Sequence, residues 1–76
     1  MIIIDNILRY CSIMDISETR FESMCGLGNG NIQNWKRKKV RGPSMRSLEL
    51  IAEGTGIPIS TWTIKGGIDA AIRAKD

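Results

Sequence analysis

Apolar residues recur along this chain at intervals of three and four, interrupted by glycine and proline, and that rhythm predicts helices. Ile4, Ile7, Leu8, Cys11 and Met14 share one side of a helix over residues 4–14, with Asp5, Asn6, Arg9 and Ser12 opposite. Asp5 suits the positive end of that helix's dipole. The leading Ile2, Ile3 and Ile4 also fit a short strand, but no second segment offers a partner strand. Asp15 ends the helix, and Ile16 packs back on the core. Ser17 caps a short second helix over residues 17–25, with Glu18 in its first turn and Phe21, Met24 and Cys25 inward. Gly26 supplies the left-handed residue that stops it, and Leu27 is the apolar pin of the turn. A third helix, capped by Gly28 or Asn29, runs to about residue 36 with Ile32 and Trp35 inward. Asn29, Asn31, Gln33 and Asn34 are left outside.

Beyond Gly42 and Pro43, Ser44 caps a fourth helix whose inward stripe is Met45, Leu48, Ile51 and Ala52. Gly54 and Gly56 close it. Pro58 starts a short fifth helix, with Ile57, Ile59 and Trp62 turned to the core. Gly66 and Gly67 form a hinge. Residues 1–65 therefore read as one domain and 66–76 as a short tail. Ile68 and Ile72, four apart, allow the tail a last helix serving as a dimer or partner contact, or else a frayed end.

Seventy-six residues with 42% apolar content are enough for one small core. No apolar run reaches the length of a membrane span, and the start lacks the basic and apolar regions of a signal peptide, so a cytoplasmic protein is expected. Histidine is absent, and Cys11 and Cys25 form no Cys-x-x-Cys pair. The usual zinc sets and the Ser-His and Cys-His nucleophile pairs are thereby removed. No catalytic role, metal or cofactor is expected, and the thiols read as reduced, buried and inert.

Charge changes the picture more. Lys36, Arg37, Lys38, Lys39, Arg41 and Arg46 follow one another with no acid between them. The segments on either side are slightly acidic. One basic patch on such a body is the electrostatic outline of a nucleic-acid binder. A solvated cationic loop is the bland alternative for the run, as solvent-facing side chains are for the amides of the third helix. The coincidence of amides, glycine turn and cations favours the binder.

Two short helices joined by a glycine turn, with inward Phe21, Cys25, Leu27, Ile32 and Trp35, make a helix-turn-helix. With the stretches over residues 16–35, 43–52 and 56–60, the chain resembles the lambda-repressor-like family, of phage Cro and repressor type. The likeness spans residues 4–64, and Gly26-Leu-Gly-Asn-Gly-Asn-Ile32 is similar to Gram-positive phage and bacterial regulators. The resemblance implies an all-α, compact five-helix domain that regulates transcription by binding double-stranded operator DNA, usually as a homodimer on paired half-sites. By position, Asn29, Asn31, Gln33 and Asn34 become the candidates for base edges, where amides pair with adenine. Lys36, Arg37, Lys38, Lys39 and Arg41 become the candidates for phosphates. The backbone N–H groups starting helices two and three are further phosphate candidates.

Two positions depart from the family pattern. Glu18 stands where members often place a glutamine against DNA, and phosphate repels it. Gly30, read as lying near the start of the third helix, lowers helical stability by ~1 kcal/mol relative to alanine. These departures motivate a second reading: an antirepressor or modulator of the same fold that grips a phage repressor protein in a genetic switch. Its surface would be the third-helix region or apolar residues near Ile2 and Ile64.

Overall fold

The computed structural model describes residues 2–38 and 42–74. They form six helices: α1 (Ile2–Met14), α2 (Glu18–Cys25), α3 (Asn31–Lys38), α4 (Met45–Thr55), α5 (Ile59–Trp62) and α6 (Gly67–Ala74). No strand occurs among the described residues. The expected count of five becomes six because the segment after Gly66 is helical and packs on α1 and α5. The leading isoleucines belong to α1 and not to a strand.

Local chemistry explains several helix ends. Ser17 Oγ accepts the Arg20 N–H at 3.0 Å, and Ser44 Oγ accepts the Ser47 N–H at 3.2 Å, each satisfying an amide that the first helical turn leaves without a partner. Gly26, at φ 72°, closes α2: its N–H reaches Ser23 O, and the Leu27 N–H reaches Glu22 O at 2.8 Å. The end of α1 repeats this pattern, with Asp15 N–H on Ser12 O and Ile16 N–H on Cys11 O, but the left-handed residue is Asp15 at φ 54°. An L side chain is strained there. Asp15→Gly is expected to raise stability by about 0.5–1 kcal/mol, the relieved strain less the entropy that glycine adds to the unfolded chain. A thermal melt checks this, and a lowered midpoint would count against the assigned turn.

The core is built around three aromatic rings. Tyr10 lies 5.6 Å from Phe21 and 5.6 Å from Trp62, and Phe21 lies 6.0 Å from Trp62, all at tilted or edge-on angles. They join α1, α2 and α5. Ile7, Ile32, Ile51 and Ile68 complete the cluster from α1, α3, α4 and α6.

Two faces of α1 are covered, which spacing alone does not reveal. Asn6, expected on the polar side, is buried, and its Nδ2 donates to Trp62 O at 2.7 Å and Ile64 O at 3.0 Å. Tyr10 is buried on this side too, whereas Met14 and Met45, expected inward, sit exposed in terminal turns of α1 and α4. Asn6 and Tyr10 are covered because α5 and α6 both lie against α1, with Trp62 and Ile68 fully buried. Gly67, the first residue of α6, makes that docking close: a Cβ there would overlap the Thr61 carbonyl, so it is a contact glycine and not a hinge. Arg9 and Asp69 close the same seam at 2.7 Å in an exposed ion pair of small energetic weight.

Candidate nucleic-acid interface

The candidate site is α3 with the turn before it and the cations after it. Ile32 is fully buried and Trp35 partly so, and together they hold one side of α3 against the core. The opposite side follows from 100° per residue. Gln33, Asn34 and Arg37 lie together on it, and all three are exposed. No hydrogen bond or ion pair among the described residues uses these three side chains.

The remaining candidates are placed differently. Asn29 is exposed in the turn. Asn31 is half-buried at the margin of the face, and its amide donates to Gly28 O at 2.7 Å, which ties it to its own turn. Lys36 turns toward α2, where its Nζ meets Glu18 Oε2 at 2.9 Å. Lys39 and Arg41 lie outside the described residues, as does the side chain of Lys38.

The start of α3 holds a feature that sequence reasoning missed. Glu22, on α2, is only 3% exposed. Its carboxylate accepts the Ile32 N–H at 2.8 Å and the Gly30 N–H at 3.3 Å. A charged acceptor thus sits at the positive end of α3, where charge and dipole reinforce each other. The first intrahelical bond runs from Asn34 N–H to Gly30 O at 3.0 Å, so Gly30, at φ 86°, is the residue from which α3 springs. The expected cost of a glycine within α3 therefore does not arise. At positive φ, glycine is the favoured residue. Neither Gly28 nor Asn29 caps the helix. The suggestion that amides starting α3 bind phosphate is also revised, since Glu22 already occupies those of Gly30 and Ile32. The signal for Glu22 was present: it follows Phe21 and precedes Cys25 by one turn, an acid on an inward face.

Glu18 and Glu22, one turn apart on α2, thus hold α3 at two levels. Cys11 and Cys25 are buried behind them, and burial pushes each thiol up to about 11, which leaves them protonated and unreactive near neutral pH. Among the described residues, no cluster of Cys, Asp and Glu could hold a metal ion. None of the described helices is long and apolar enough to cross a membrane. Compared with protein-family models, curated proteins and solved structures, the chain matches none of them.

Proposed function

We propose that this chain is a DNA-binding transcriptional regulator, acting in the cytoplasm, in which α2 and α3 form a helix-turn-helix and α3 reads duplex DNA. The supporting observation is the Gln33–Asn34–Arg37 face, exposed on a helix that is anchored from behind by Ile32 and capped by Glu22. An α-helix with its side chains is ~10–12 Å across, which the major groove, ~12 Å wide, admits. Amide side chains pair bidentately with adenine, and arginine pairs with the O6 and N7 of guanine. Arg37 moves from the phosphate set to the base-reading set because it shares the face of Gln33 and Asn34. Lys38, Lys39 and Arg41 stay as phosphate candidates by sequence, while Lys36 is committed to Glu18.

The test is selection of preferred duplexes from a random pool, followed by binding titrations from 50 to 200 mM salt. Gln33→Ala and Asn34→Ala are each expected to cut the preference for the selected duplex by about five- to 150-fold, the worth of one bidentate contact. Binding to random duplex should barely change. Equal affinity for selected and random duplex in the unmodified protein would sink the reading.

One observation favours the second reading, a modulator that binds a repressor protein. Ile64 is 58% exposed and Ile2 43% exposed. Ile64 also edges a shallow apolar groove of about 310 Å³, lined by Thr61, Gly67, Ala70 and Ala71. A stable complex with a repressor, without any duplex binding by this chain alone, is the outcome that would favour it.

A further inference from the structure

Lys36 is the first cation of the basic run, yet it does not stand free to meet a phosphate. Its Nζ lies 2.9 Å from Glu18 Oε2, and both side chains remain about one-third exposed, at 34% and 31%. The pair therefore sits at the surface of the α2–α3 joint, beside Arg37 and the exposed face of α3. Below it, the Glu22 carboxylate occupies the Gly30 and Ile32 amides at the start of α3, where an anion would otherwise be attracted. Both acidic groups that α2 turns toward α3 thus oppose a phosphate, one by neutralising a cation and the other by occupying the helix start.

We infer that Glu18 is a specificity-determining residue that withholds Lys36 from the DNA backbone, lowering sequence-independent affinity while leaving base reading to Gln33, Asn34 and Arg37. This inference rests on the DNA-binding reading above. Sequence-independent affinity rises with the number of phosphates that lysine and arginine neutralise, because each contact releases condensed counterions. A lysine bound to a carboxylate contributes no such release. If Lys36 swings to a phosphate, it leaves the Glu18 carboxylate beside the same phosphate, and the repulsion offsets the gain. Glu18 and Lys36 together act as a neutral unit next to a reading face. What remains is a larger share of the binding free energy in base contacts, and so a higher ratio of specific to random binding.

The experiment compares the unmodified protein with Glu18→Gln, Lys36→Met and the double variant, titrated against selected and random duplex between 20 and 200 mM salt. Glutamine keeps the shape of Glu18 and removes its charge. Glu18→Gln is expected to bind random duplex about eightfold more tightly at 0.1 M salt, with the slope of log affinity against log salt steeper by about 0.9, the value of one added phosphate contact. Lys36→Met, which leaves Glu18 without its partner, should bind more weakly than the unmodified protein. The double variant should return close to it. A purely structural pair would change the melting temperature of these variants and leave the salt slope alone, so the slope is the deciding readout. Duplex binding by the unmodified protein with no tightening in Glu18→Gln would overturn the role of Glu18 and spare the DNA reading. Absence of duplex binding by every variant at 20 mM salt would overturn both.

Discussion

Replacing Trp62 with alanine should cost about 3–5 kcal/mol of stability, the usual toll for deleting a buried large aromatic residue. Trp62 is fully buried, meets the Tyr10 ring of α1 at a tilt and the Phe21 ring of α2 edge-on, and donates its indole N–H to Ile57 O at 3.1 Å. Its own carbonyl holds the buried Asn6 amide at 2.7 Å. A chain of this length has a total stability of roughly 4–11 kcal/mol. The loss therefore takes a large part of what holds the protein folded, and the variant is expected to be partly unfolded at 37 °C. Urea denaturation followed by far-UV circular dichroism measures the effect. Trp62→Phe retains a ring in the aromatic cluster and should lose markedly less. A Trp62→Ala midpoint near that of the unmodified protein would show that the aromatic cluster does not join α1, α2 and α5 as described.

The second large effect is expected at Glu22. Glu22→Ala removes the acceptor of two amides at the start of α3, in a place that water does not reach readily. Hydrogen bonds to a charged group contribute about 1.5–3 kcal/mol each, so the two together give an expected loss of at least ~3 kcal/mol, centred on α3. Hydrogen exchange separates this local effect from general loosening. The amides of residues 30–34 should exchange faster by a larger factor than that of Phe21, whose own bond to Ser17 O is untouched. Glu22→Gln keeps one acceptor oxygen and should fall between. Uniform acceleration across all helices would mean that Glu22 acts on the core and not as the cap of α3. On the DNA-binding reading, Glu22→Ala should also weaken duplex binding even where the protein stays folded, because a frayed α3 must be ordered again on docking.

The candidate site was legible where it depended on one helix. Ile32 and Trp35 mark the inward side of α3, and the outward placing of Gln33 and Asn34 follows from the same periodicity. It was not legible where a second helix or the geometry of the turn intervenes. Lys36 belongs to the cationic run by sequence, but Glu18 lies close enough in space to claim it. Asn31 carries the right side chain for a base contact, yet its amide closes on Gly28 O. The cost of Gly30 depends on φ, and a positive φ turns a helix-weakening residue into the favoured one.

What the amino-acid sequence settled by itself is the helical character of the chain and where α2 and α4 start and stop. Ser17, Gly26, Ser44 and Gly56 act on amides and carbonyls a few residues away, so their effect needs no knowledge of the rest of the molecule. What only the tertiary structure decided is how those helices divide their surfaces. Asn6 and Tyr10 are inside because α5 and α6, far along the chain, cover a second side of α1. The segment after Gly66 became part of the core through Ile68 and the close approach of Gly67 to Thr61, neither of which its short apolar pair could announce. Burial and ion pairing are properties of neighbours in space, and periodicity along one helix reports only the neighbours it already has.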